Sequence, residues 1–116
     1  VESATPTWVE TSAPGLRVVL ARGPLRAQVD LAAGDPVAVP PRPVEVPGVG
    51  PVLACAPETL FAWKLHGLVE RGRGGWRAKD LFDLDLLWRA GLDLEGARAE
   101  VALAFSARDQ APALLD

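Results

Sequence analysis

The chain has 116 residues, 49% of them apolar and 23% charged, and a net charge of −3. That suits one small domain with a modest core and excludes a global positive field that would draw it to nucleic acid or an anionic membrane. One cysteine, Cys55, and one histidine, His66, exclude an intrachain disulfide, a cysteine-based zinc cluster and a multi-histidine metal site.

No run approaches the roughly 18 apolar residues of a membrane-spanning helix, and no basic-then-apolar leader opens the sequence, so a cytoplasmic location is expected. There is no methionine, so a processed chain or a piece of a longer one is expected. Ten arginines accompany only two lysines, Lys64 and Lys79, which singles out both lysines for a chemical reason.

Residues 1–14, with Pro6 and Pro14, read as a frayed or edge segment. Leu16 to Arg22 is rich in apolar and β-branched residues, and Leu25 to Leu31 alternates. Leu25, Ala27, Val29 and Leu31 fall on one face; Arg26, Gln28 and Asp30 fall on the other. Period two means strand, and Gly23-Pro24 between the runs suits a tight turn, so an antiparallel hairpin is predicted. Residues 34–57 hold seven of the eleven prolines and read as an extended connector. Within it, Val44-Glu45-Val46 and Val49 to Ala54 can form short edge strands.

The second half is helical. Pro57 suits a first turn, Glu58 adds a favourable charge there, and Phe61, Lys64, Leu65 and Leu68 form a stripe ending near Arg71. Gly72-Arg73-Gly74-Gly75 breaks this helix. A second runs from about Arg77 to Arg89, stopped by Gly91. Asp93 can cap a third, Leu94 to Ala107, with Leu94, Ala97, Val101 and Phe105 as its packing stripe. The fold class is therefore α+β: a β unit over residues 1–56, Pro-rich connector included, then a helical unit of about three helices over residues 57–116.

Four features carry chemistry. Lys64 interrupts an apolar stripe, either snorkelling to water or holding an ammonium at a pocket wall for an anion such as phosphate. Asp80 and Asp83, three apart, share one helix face, while Asp85 faces elsewhere and meets solvent. Residues 70–79 gather Arg71, Arg73, Arg77 and Lys79 among three glycines, a basic loop beside a helix N-terminus that can take phosphates or serve as a solvated connector. Asp30 on the polar strand face marks either the end of the strand or a carboxylate aimed at a hard cation such as Mg²⁺. His66, Cys55 and the tryptophans Trp8, Trp63, Trp76 and Trp88 read as structural.

These residues come in a familiar order. Asp30-Leu31 on a strand is followed by the proline-rich connector and Pro57-Glu58-Thr59-Leu60. Next comes Ala62-Trp63-Lys64-Leu65-His66-Gly67-Leu68, then Arg77-Ala78-Lys79-Asp80-Leu81-Phe82-Asp83-Leu84. Over about residues 16–90 this resembles the AbiEii/AbiGii-type nucleotidyltransferase toxins of abortive-infection and toxin–antitoxin systems, within the DNA polymerase β-like nucleotidyltransferase superfamily. The resemblance implies transfer of a nucleoside monophosphate from an NTP, with Mg²⁺, to an acceptor such as tRNA, and a cognate antitoxin as partner.

By the same resemblance, Asp30 corresponds to the third metal-binding carboxylate and Lys64 to the helix lysine that contacts the triphosphate. Asp80, or alternatively Asp83, corresponds to the acidic residue of the last motif, and Arg77 and Lys79 flank the pocket. Three departures stand out. Trp63 occupies the usual glutamate position and Gly67 the usual alanine position. The superfamily's first motif, a Gly-Ser or Gly-Gly turn followed by paired aspartates, is absent from these residues. The resemblance thus implies the C-terminal portion of an enzyme, inactive by itself. The alternatives are a non-catalytic module that binds an antitoxin or another partner protein, and an RNA-binding domain using the 71–79 loop. The negative net charge weighs against the latter.

Overall fold

The computed structural model describes residues 1–7 and 15–107. The elements in order are β1 (Ser3–Thr7), β2 (Gly15–Arg22), β3 (Leu25–Ala32), β4 (Arg42–Val46), β5 (Gly50–Ala54), α1 (Pro57–Arg71), a 3₁₀ turn (Arg73–Gly75), α2 (Ala78–Arg89) and α3 (Leu94–Ala107). The α+β class stands: a small antiparallel sheet followed by three helices. Two compact units form, Val1–Asp35 and Pro36–Asp116.

The first unit is an antiparallel sheet in the order β1-β2-β3. Its β2–β3 register sets Leu16 opposite Leu31, Val18 opposite Val29 and Leu20 opposite Ala27, so apolar residues line one face. On the other face Arg17 stands opposite Asp30. Gly23 adopts φ +59°, the positive value that the first central place of a two-residue hairpin turn requires. The N-terminal segment contributes an edge strand: β1 pairs with β2 from Ser3↔Val19 to Thr7↔Gly15. Residues 8–14, the remainder of that segment, and Trp8 within them lie outside the described residues.

In the second unit the connector supplies a two-stranded hairpin, β4 with β5, from Arg42↔Ala54 to Val46↔Gly50. Two strands are both edges, which is why Pro43 and Pro51 are tolerated in them. α1 begins with Pro57 in its first turn and ends at Gly72, where φ is +66° and the backbone N–H donates to the Leu68 and Val69 carbonyls. Asp93 caps α3 as expected: its carboxylate accepts the Gly96 N–H at 2.9 Å.

The burial of α1 differs from the predicted stripe. Leu68 of that stripe is buried as expected, but Thr59, Ala62 and His66 are buried as well, and the His66 ring meets Phe105 of α3 edge-on at 4.9 Å between centroids. The Phe61–Lys64 side instead faces α2, with Phe61 beside the Trp88 ring and Lys64 paired to Asp80 and Asp83. Two partner helices divide the α1 surface, so a single apolar stripe underestimates what it covers.

On α3, Ala97 and Phe105 are buried as expected, but Leu94 is exposed and Glu100 and Ala104 are buried with them. This core is made of small residues around Phe105, so buried polar groups carry much of the linkage between elements. Glu100, 1% exposed, accepts at one oxygen from the Ala38 N–H, the Val39 N–H and the Thr59 hydroxyl at 2.7–2.9 Å. Glu58, in the first turn of α1, accepts from the Asp93 N–H at 3.0 Å and pairs with Arg42. Gly96 sits where these meet: a Cβ there would lie 3.2 Å from Val39 and 3.5 Å from Glu58.

Candidate functional site

Asp80 lies in the first turn of α2, and its side chain is 3% exposed. A carboxylate removed from water must be paired, and here three cations pair it. Lys64 from α1 donates to Oδ1 at 3.2 Å. Arg71, at the end of α1, donates to Oδ2 at 2.9 Å, and Arg77, immediately before α2, donates to the same oxygen at 2.7 Å. Asp83, one turn further on α2, pairs with Lys64 at 2.7 Å. The helix spacing predicted for Asp80 and Asp83 thus brings both carboxylates to one ammonium. Lys79, between Arg77 and Asp80 in sequence, is exposed on the first turn of α2.

The electrostatics follow from this geometry. Burial pushes the Asp80 carboxyl up, but the hydrogen bonds and charges of Arg77 and Lys64 outweigh it and hold the group below its usual range. The Asp83 contact, reinforced by Asp80, raises the Lys64 ammonium against the opposing effect of its partial burial. Lys64 is therefore neither an idle snorkelling side chain nor a lone charge. Three cations face two carboxylates, leaving one positive charge in excess. The Arg71 and Arg77 side chains are 34% and 52% exposed, so each guanidinium is tethered from inside while part of its fork stays open to an incoming anion.

By sequence Arg71 reads only as part of a basic loop. Its recruitment depends on Gly67, one turn earlier on the same face of α1. A Cβ at Gly67 would lie 2.9 Å from the Arg71 Nη2. The missing side chain lets the guanidinium lie back along the helix and reach Asp80, which gives the Gly67 departure a physical role. Gly67→Ala should gain roughly 1 kcal/mol of helix propensity while displacing the flexible end of Arg71. Net stability should change by less than about 1 kcal/mol. Affinity for inorganic tripolyphosphate, followed by calorimetry, should fall about two- to fivefold, the weight of one partly exposed charge contact.

Asp30 belongs to the other compact unit. Its oxygens accept from Arg17 at 2.7 and 3.1 Å and from Gln28 at 3.1 Å. The Arg17 hydrogen bond lowers its pKa against an opposing desolvation effect, with further help from Gln28 and the Arg17 charge. A divalent cation there would have to displace a guanidinium, and one carboxylate is a poor cage for it. Asp80 is likewise already surrounded by cations. Among the described residues no group of three or more His, Cys, Asp or Glu gathers to hold a metal ion. The described residues thus fit an anion such as a phosphate chain and do not by themselves fit a metal.

The remaining residues are peripheral to this cluster. Asp85 is exposed and pairs with Arg89 one turn on. Cys55 is exposed and free. No helix among the described residues is long and apolar enough to cross a membrane.

A small antiparallel sheet followed by three helices, with Asp80 holding three cations among the helices, defines an α+β chain. Residues 2–116 match the family described as nucleotidyl transferase AbiEii toxin, Type IV toxin–antitoxin system. The chain belongs to that family, in agreement with the resemblance read from Pro57-Glu58, Lys64 and the Asp80–Asp83 segment. No curated protein and no solved structure matches it.

Proposed function

We propose that the chain serves a nucleotidyltransferase toxin that moves a nucleoside monophosphate from an NTP to an acceptor such as tRNA, and that its helical unit supplies the triphosphate-binding wall. The observation that supports this reading is the tethering of Lys64, Arg71 and Arg77 by buried Asp80. Cations held in place before the substrate arrives stabilise charge that develops on a leaving pyrophosphate without reorganising at that moment. Lys64 is the proposed phosphate contact, with Arg77 and Lys79 flanking it. Asp80 and Asp83 are proposed to position the ammonium.

Mg²⁺ would supply Lewis-acid stabilisation of the phosphate charge, and it would need carboxylates beyond those the described residues gather. Residues 1–116 alone are therefore expected to transfer no labelled nucleotide to bulk tRNA. Incorporation by this chain would overturn that part of the reading. The phosphate wall is tested separately. Lys64→Ala leaves Asp80 both guanidinium partners, so helicity by circular dichroism should persist. Affinity for inorganic tripolyphosphate should fall about tenfold, the loss of one charge-assisted bond. Unchanged affinity would reduce Lys64 to a bridge between helices.

A second reading, a non-catalytic module that binds the cognate antitoxin or another protein, rests on α2. Leu81, Phe82, Leu86 and Trp88 are each more than 40% exposed there. It would gain if the chain bound antitoxin and no tripolyphosphate.

A further inference from the structure

We infer that Trp76 is a stacking platform for the base of a phosphorylated nucleotide, held beside the cation cluster. The inference rests on the phosphate reading of that cluster and adds the part of the ligand that the cations do not recognise. Trp76 lies between the 3₁₀ turn and Arg77, in extended backbone. Its indole N–H donates to the Leu68 carbonyl at 3.0 Å, near the end of α1. The polar atom is thereby satisfied within the protein, yet the residue remains 47% exposed, and what it shows to solvent is apolar ring.

The backbone that carries the ring is also held on both sides. Before it, Gly75 lies so close to the Arg71 stem that a Cβ would sit 3.0 Å from the Arg71 Cβ. After it, Arg77 is fixed on Asp80 at 2.7 Å. Neighbouring Cα atoms are about 3.8 Å apart, so the ring and the Arg77 guanidinium spring from adjacent points of a tethered loop. An exposed aromatic on the same tethered loop as a fixed guanidinium can take a base on its face while the cations take the attached phosphate. By sequence Trp76 reads as structural. Its tether to Leu68 is structural, but its exposed face is not covered by any of the described residues.

The shared chemistry is a nucleobase carrying phosphate, and it has two sources, a free NTP and a residue of a single-stranded RNA. The 116-residue chain would be titrated calorimetrically with ATP, UTP, inorganic tripolyphosphate and an eight-nucleotide single-stranded RNA. A nucleotide should bind at least about fivefold tighter than tripolyphosphate, the lower end of what one stacked base contributes. Trp76→Ala should erase that excess and leave tripolyphosphate affinity in place. Trp76→Phe, which keeps a ring but loses the indole N–H, should retain most of the excess.

Loss of the excess for ATP and UTP assigns the platform to the nucleotide substrate, and loss for RNA alone assigns it to an acceptor strand. The inference is overturned if Trp76→Ala leaves the excess unchanged. It is equally overturned if the substitution weakens all ligands in one proportion, since that marks a loop anchor. Nucleotide binding that depends on Trp76 without any tripolyphosphate binding would sink the phosphate wall and keep the platform. Absence of binding by every ligand overturns both.

Discussion

Glu100→Ala should lower the stability of the helical unit by about 2–4 kcal/mol, a loss comparable to truncating a core side chain. One oxygen of this carboxylate accepts three hydrogen bonds, from two backbone N–H groups of the connector and from Thr59 on α1, while the residue itself rides on α3. Truncation leaves three donors without their acceptor and a void beside Thr59. Each unsatisfied buried donor costs roughly 1–3 kcal/mol. Water can reach the Ala38 and Val39 amides, because Ala38 is exposed and Val39 only half-buried, so the sum falls short of three full penalties.

The measurement is the urea midpoint, with an unchanged slope expected. Glu100→Gln preserves an acceptor oxygen and should lose about 1 kcal/mol or less. Thr59→Val removes one donor instead of the acceptor of three and should fall near the Gln variant. A protease should also cut Glu100→Ala faster within residues 36–41, since the carboxylate is what ties those amides to the helices. Equal losses for Ala and Gln would show that charge, not hydrogen bonding, is what Glu100 contributes.

This carboxylate also shows where sequence reading stops. The β2–β3 hairpin was legible because its information is local: alternation from Leu25 to Leu31 and a turn glycine at position 23. Helix ends were legible for the same reason, through Pro57, Gly72, Gly91 and Asp93. Glu100 was not, because a glutamate on an Ala-rich helix looks like a solvated charge until Thr59, 41 positions earlier, is packed against it. The α1 stripe, right for Leu68, is incomplete for a related cause. Periodicity identifies a face that leaves water, and α1 has two such faces, one of them built on Thr59 and His66.

The site shows the same division. Lys64, Asp80, Asp83 and Arg77 were readable as chemistry-bearing residues, and the family resemblance ordered them. Arg71 joined them only through Gly67, since the consequence of a missing Cβ appears when the guanidinium lies across it. Asp30 was readable as a candidate carboxylate. The two-residue turn at Gly23-Pro24 sets the register that places Arg17 opposite it, but a carboxylate aimed at a cation and one paired across the ladder read alike until that partner is placed.

Replacing Asp80 should separate two roles of the cluster. At neutral pH Asp80→Ala is expected to lose on the order of 2–3 kcal/mol. That is less than a fully buried pair would lose, because Arg71 and Arg77 are partly exposed and can turn back to water. The pH dependence has a definite sign. The folded-state carboxyl titrates below its ordinary 3.8, so its contribution is present above that value and is lost as the pH falls through the folded pKa. Lys64 titrates above its ordinary 10.5, so its contribution is present below 10.5 and is lost as the pH rises through the folded pKa. Asp80→Asn should therefore differ from the parent protein by a nearly constant amount between about pH 5 and 9. The difference should shrink in acid, where the parent carboxylate takes up its proton.

Phosphate binding discriminates further. Removing one negative charge makes the cluster more positive, and net charge alone predicts tighter binding of tripolyphosphate. Preorganisation predicts the reverse, since Lys64, Arg71 and Arg77 lose the common acceptor that holds them in one arrangement. The expected result is weaker binding by Asp80→Asn, about tenfold, with the loss persisting at high salt, where long-range attraction is screened. Tighter binding that vanishes with added salt would mean that Asp80 merely tempers a diffuse positive field. In that case the three cations would not constitute a built site.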